Sequence, residues 1–358
     1  MFLIAGAALA LASCSKDEPV STNNGNAIDF RAAMQTRATA TTTANIAKFF
    51  VTAFDKNGAN YFSDAEFTKD GSFFTSTPSY YWPSDGSELS FVAYSPSKDE
   101  LGGTLTLSKD SKTLVDFSPA AAIADQKDFI TAAATGSKSN ESSGVALTFA
   151  HQLAQIELKA KNANEGYVFK VQGVRIGKPV SKGTFDFGTS AWTLGTDKTN
   201  CAVTYEGSEK TLTATAVSIM AKDGDNAMLL PQELTAWDSE NDKTNDAEGA
   251  YLAVKVQITT KDGYRVFPAE AAGEYDWVAV AIGTKWDAGK KYIYTLDFTN
   301  GAGKVDPEKP EPTDPTDPDN PGGDIFGGAI KFTVTVNDWI DAAEDIDCLL
   351  YTSPSPRD

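Results

Sequence analysis

Histidine and cysteine are nearly missing from this chain. Its 358 residues include one His, His151, and three Cys. A zinc or iron site needs a cluster of these residues, and no C-x-x-C occurs. A disulfide framework is excluded too, because only Cys201 lies in the body of the chain. Positive charge is also scarce. Lys and Arg number 31 against 49 Asp and Glu, which leaves −18. A nucleic-acid binder needs a positive face to release counterions from phosphate, so no nucleic-acid partner is expected. No extended stretch places apolar residues at i, i+3, i+4 and i+7, so long amphipathic helices are not expected. The length suits two domains, each able to bury its own core.

The two ends stand apart from the rest. Residues 1–13, MFLIAGAALALAS, form an uncharged apolar run. It is shorter than the ~20 residues a membrane helix needs and fits the core of a secretory signal. Leu11-Ala12-Ser13-Cys14 resembles a bacterial lipobox, which makes Cys14 the expected lipidation site and residues 14–27 a polar tether. The acidic residues after Cys14 also resemble a surface-export signal of Bacteroidetes lipoproteins. At the other end, Cys348–Asp358 reads CLLYTSPSPRD. Codons for these residues can spell a transposase-based sequencing adapter read in frame. On that reading the native chain ends near Asp347.

Between the ends the pattern is short and strand-like. Ser90–Tyr94, Thr104–Leu107, Val145–Phe149, Ile156–Ala160, Thr211–Val217, Tyr251–Ile258 and Tyr292–Phe298 are rich in Val, Thr, Phe and Tyr. They alternate with period two between Gly, Asn, Asp or Pro. Many such strands at turn-separated spacing predict antiparallel β-sandwiches. The strand number fits two of them, over 28–163 and 164–303, with a polar break at Lys161–Gly166. The Ala-rich Ser118–Lys127 is the one candidate for a short helix.

After Phe298 the composition changes. Val305–Asp324 contains six of the 16 prolines, and its seven acids against one Lys leave −6, a third of the total charge. Proline fixes φ and like charges repel, so 304–328 reads as an extended linker with a reach of roughly 60 Å. Beyond it, 329–340 contains a clean amphipathic strand. Ile330, Phe332, Val334 and Val336 share one face, and Lys331, Thr333 and Thr335 the other. A lone strand has no partner for its backbone groups, so it must pair with its own chain or add to another molecule's sheet.

Signals for chemistry are weak. His151 lies beside Phe149 and Leu153 in a strand pattern, and no G-x-S-x-G elbow accompanies it. It reads as a hydrogen-bonded core-edge His rather than a base. Asp55–Gly58 and Lys222–Asn226 lack the calcium loop's terminal Glu and read as hairpin turns. Most Trp residues sit in apolar strand patterns. Trp237, in the polar run Ala236–Glu240, is the best exposed candidate for stacking on a sugar. Cys201 reads as a small buried apolar residue. No cofactor and no metal are expected.

Four motifs then converge. Phe149, His151, Leu153 and Ile156 match F-x-H-x-L-x-x-I, and Trp286, Gly289, Tyr292, Tyr294 and Leu296 match W-x-x-G-x-x-Y-x-Y-x-L. Leu229–Gln232 reads LLPQ, and Tyr81-Trp82-Pro83 precedes Phe91–Tyr94. In this order, from about Ile28 to Trp339, they resemble the Bacteroidales fimbrillin family of surface lipoprotein pilins.

The resemblance implies an all-β fold of two tandem transthyretin-like antiparallel β-sandwich domains with a C-terminal donor-type strand. It implies a type V pilus-like subunit or adhesin rather than an enzyme. In that family a protease of trypsin-like or Arg specificity removes the first strand, and a neighbour's C-terminal strand fills the groove. The matching positions are Arg37, with Arg31 as the alternative, and the strand residues Ile330, Phe332, Val334 and Val336. The implied partners are other fimbrial subunits by strand exchange, the outer membrane through the lipid, and a host or bacterial surface ligand. The implied location is the cell surface. A competing reading is a surface glycan-binding lipoprotein of a polysaccharide-uptake system.

Overall fold

A computed structural model describes residues 27–34, 46–221, 225–241, 248–268, 275–309 and 322–339. Within them the chain is almost entirely β. The first unit is a closed barrel of seven strands: β1 (Phe30–Met34), β2 (Lys48–Phe54), β3 (Asn60–Asp70), β4 (Phe73–Thr75), β5 (Leu89–Ser95), β8 (Ile130–Gly136) and β9 (Val145–His151). Their order is β1-β4-β3-β2-β5-β8-β9, and β1 closes the ring by pairing parallel with β9.

Two further sheets face each other to form the second unit. One contains β10 (Ala154–Lys161), β16 (Val217–Ser218), β17 (Ala227–Leu229), β23 (Lys290–Asp297) and β25 (Lys331–Asp338). The other contains β11 (Tyr167–Gly177), β14 (Cys201–Thr204), β15 (Lys210–Thr211), β19 (Tyr251–Thr260), β20 (Arg265–Phe267), β21 (Asp276–Ala281) and β24 (Lys304–Val305). A small sheet joins β6 (Thr104–Leu107) and β7 (Lys112–Phe117) from before the barrel closes to β12 (Gly183–Asp186) and β13 (Ala191–Leu194) from after it. A last pair is β18 (Gln232–Glu233) with β22 (Lys285–Trp286).

Each unit has its own core, as alternation predicts. Phe30, Phe49, Phe67, Phe74, Phe91 and Phe149 fill the barrel. Leu158, Val171, Val254, Tyr294 and Leu296 belong to the core between the two facing sheets. A third cluster lies between the units, formed by Tyr94, Leu114, Phe129, Leu153, Phe185, Leu230 and Trp339.

Several expectations need correction. The Lys161–Gly166 break is a turn inside the second unit, tightened by the Asn162 amide donating to the carbonyls of Asn164 and Tyr167. The crossover between units comes earlier, at Gln152 and Leu153, because β10 pairs with β23. Ser118–Lys127 forms no α-helix, only a 3-10 turn at Ile123–Asp125. Tertiary pairing overrides its Ala content: Gln126 donates to Ala120 O and accepts from Met228 N, and Ala122 bridges to Ala202. Thr211–Val217 is not one strand, since β15 ends at Thr211 and β16 begins at Val217.

The acidic linker also departs from a free spacer at both ends. Val305 N donates to Gly323 O, Gly322 N to Val305 O, Ile325 N to Gly303 O and Ala302 N to Phe326 O. Its two ends therefore lie side by side on the second unit. Asp306 pairs with Arg175, whose guanidinium lies over the Trp277 ring at 4.6 Å. Buried charge persists where it is paired, and here the pairing is with a chain segment that composition marks as solvated. Residues 310–321 lie outside the described residues.

Candidate assembly site

The predicted site splits across the molecule. β1 carries Phe30 into the middle of the barrel, where it is fully buried. Its ring makes edge contacts with Phe67 at 4.7 Å, Phe91 at 5.1 Å and Phe49 at 6.0 Å. The strand is bonded over five residue pairs to β9, from Phe30–Val145 to Met34–Phe149, but by one pair to β4, Phe30–Phe74. Just before it, Ile28 N donates to Tyr80 O, and Asp29 O accepts from Val145 N. β1 is thus a short wedge between two strands that do not pair with each other.

Arg31 lies within this wedge, its side chain exposed and its backbone opposite Ala146. A protease needs an extended substrate free of its neighbours, which this pairing denies. Arg37 and Cys14 lie outside the described residues.

The C-terminal strand folds back on its own chain. β25 pairs antiparallel with β23 over eight residue pairs, from Lys290–Asp338 to Asp297–Lys331. Ile330 is buried, Phe332 and Val334 are half-buried against the core, and the outward Lys331, Thr333 and Thr335 are exposed. The alternation read from sequence holds except at Val336, which is 52% exposed. There the inward face runs past the edge of its own core.

Beyond Val336 the strand is clasped. Trp339 N donates to Gly289 O, and Gly289 N donates to Leu153 O. The Trp339 ring lies on His151, 4.0 Å between centroids and 5° from parallel. His151 Nδ1 is 2.6 Å from Asp128 Oδ2. The sole His is therefore buried in a stack that ties the barrel to the last strand, which fits its reading as a core-edge residue.

The same joint accounts for the sequence motifs. Phe149 is in the barrel core, Leu153 in the cluster between units and Ile156 in the second core, so F-x-H-x-L-x-x-I marks the crossover. Trp286 Nε1 donates to Tyr294 OH, Tyr292 OH accepts from Asp287 N, and Gly289 turns with φ +68°. Gln232 of LLPQ accepts from Val180 N and donates to Val180 O.

The candidates for binding chemistry fall away. Trp237, expected to be exposed, is 2% exposed. Its backbone N–H donates to Ala250 O, and Gly249 packs so close that an added Cβ would sit 2.3 Å from Trp237 Cα. Asp55 accepts from Asn57 N and Ala59 N, which closes the β2–β3 hairpin. Residues 222–224 of the second proposed turn lie outside the described residues. Burial pushes the Cys201 thiol up to about 12, against a smaller opposing effect from the Gln126 amide, so it stays protonated.

Solved structures share this architecture. A fimbrial protein from Bacteroides vulgatus matches with a TM-score of 0.57 at 16% identity, over 88% of this chain and 99% of that one. A candidate cell adhesion protein from Bacteroides ovatus matches at 0.50 and 15% identity, over 89% and 99%. At such identities the likeness speaks for the fold alone. No curated protein sequence matches. The model of a family described as fimbrillin-like matches residues 36–339, which takes in all four motifs but not β1. The chain belongs to the fimbrillin-like family.

Proposed function

We propose that the chain is the precursor of a fimbrial subunit or adhesin that matures by losing β1 and assembles by β-strand exchange. As a fimbrillin-like protein it is structural and adhesive, not an enzyme, and its place is the cell surface. The observation that carries the reading is the position of Phe30. One short strand supplies the central ring of an aromatic core, and its connection to the rest of the barrel runs through the segment containing Arg37.

Cleavage after Arg37 would sever β1 from β2. Its departure would leave β4 and β9 unpaired on facing edges and expose Phe49, Phe67, Phe74 and Phe91. An open edge over an apolar trough is a strong template for another strand. The occupant fitted to it is a neighbour's C-terminal strand with Ile330, Phe332, Val334 and Val336. Burying four such side chains is worth on the order of 6–12 kcal/mol before ordering costs. Cys14 is the proposed lipid anchor to the outer membrane, and other fimbrial subunits are the proposed partners. The chain is proposed to work as two domains that meet at the crossover at Gln152 and Leu153, so β10 belongs to the second.

Limited digestion with an Arg-specific protease, read by mass spectrometry and a sizing column, tests this. The expected result is release of the segment ending at Arg37 and oligomers that require Ile330–Val336. Cleaved protein that stays monomeric and binds no synthetic donor strand overturns it. Cys14→Ser should abolish membrane attachment, and a variant still lipidated refutes the anchor. The glycan-binding alternative loses its best stacking candidate with the burial of Trp237.

A further inference from the structure

Uncovered sheet edges are pairing templates, and folded proteins usually guard them with charges, Pro or bulges. β25 is the last strand of its sheet, and among the described residues no strand pairs with its outer edge. Its register against β23 is unbroken, so the edge carries no bulge. From Phe332 to Asn337 it reads Phe-Thr-Val-Thr-Val-Asn, with neither charge nor Pro. The inward face is also incompletely covered, most of all at Val336. An unguarded edge and an apolar stripe left partly in water occur on the same eight residues.

We propose that the outer edge of β25 is a contact between two copies of this chain, whose β25 strands pair antiparallel about Val334. A two-fold axis through the strand pair is the simplest closed association. Side chains opposite each other across such a pair must lie on the same face, so the axis must pass through a residue rather than between two. Centred on Val334, the register places Val334 opposite its mate, Thr333 opposite Thr335, Phe332 opposite Val336, and Lys331 opposite Asn337. Apolar meets apolar and hydroxyl meets hydroxyl, the combinations that stabilise cross-strand pairs.

Neighbouring registers are poorer. Moving the axis to Thr335 sets Phe332 opposite the Asp338 carboxylate. Moving it to Thr333 carries the pairing of Val336, Asn337 and Asp338 onto Ile330, Ala329 and Gly328, which precede the strand, whereas the Val334 register takes only Asp338 beyond it. The Val334 register is the one that gives exposed Val336 an aromatic neighbour. A single strand pair is a small contact, so the dimer is reversible. It keeps β1 in the barrel and β25 on its own sheet, and is independent of exchange after cleavage.

The test uses the full, uncleaved chain under reducing conditions, with mass measured by sedimentation equilibrium over a concentration series. Two variants, Thr333→Lys with Thr335→Lys and Thr333→Glu with Thr335→Glu, change exposed outward positions and place like charges opposite each other twice. Wild-type mass should rise toward twice the monomer, each double variant should stay at monomer mass, and an equimolar mixture should recover a mixed dimer. Wild type at monomer mass throughout overturns the proposal, as do double variants that dimerise like wild type. Hydrogen exchange on the wild type gives a variant-free reading. Alternate amides of 331–338 should gain protection with concentration, and unchanged protection overturns the proposal. Strand exchange is read on cleaved protein, so either idea can fail alone.

Discussion

β1 and β25 are both terminal strands of the described chain, yet they are held in different ways. β1 is short and is held by a five-residue parallel ladder with β9 and by Phe30 at the centre of a closed barrel. β25 is longer, lies on an edge, and owes its place to a continuous ladder with β23 and a clasp at Trp339. A wedge in a closed ring cannot leave without opening the core, so its removal needs a covalent cut. An edge strand can peel from its end while the rest of the sheet stays paired. Under the proposed exchange, a donor and the strand it replaces are anchored in different ways.

Substitutions can break the comparison, starting where the effect should be greatest. Phe30→Ala leaves a cavity among three rings and should cost about 3–5 kcal/mol, seen as a lower urea midpoint for the barrel. If the loss falls well below that, β1 is no wedge. Trp339→Ala should cost about 2–4 kcal/mol, because the ring is buried but stands at the end of the strand. Hydrogen exchange should then show β25 opening while β1 stays protected; equal loosening of both would erase the distinction.

Acid should act more gently, on the stem that leads into β25. Burial opposes the charge of Glu308, but the Asn200 amide and the charges of Arg175 and Lys178 outweigh it and hold its carboxyl below the ordinary range. A folded value below the unfolded one gives stability that is present above the ordinary Glu range and lost as pH falls through the folded value. Protection of 322–328 should therefore decline below about pH 4, and Glu308→Gln should remove that decline. Val336→Ala should be smallest, within about 0.5 kcal/mol by thermal melting, because the side chain is largely in water.

Much of this was legible in the sequence. Period-two alternation located β9, β10 and β23 closely, because each faces a core on one side, and the apolar runs located β5 and β19, which are buried on both faces. It also assigned the faces of β25. What it could not supply was pairing. Nothing local in Phe30–Met34 says that the strand closes a barrel in parallel with β9. Trp237 looked exposed because its sequence neighbours are polar, while the partners that bury it, Gly249 and Tyr251, lie later in the chain. The linker misled for the same reason, since Asp306 is charged by sequence and buried by Arg175. His151 was legible as structural, but not its stack, which needs a residue 188 positions away.

The side-by-side ends of the acidic segment carry a consequence for variation. Because Val305 and Gly322–Gly323 are bonded to each other, the distance from β24 to β25 does not depend on how many residues lie between them. Closing a longer loop costs only about 0.6 kcal/mol per doubling of its length. The strand that follows is therefore placed by bonds on either side of 310–321 rather than by the number of residues there.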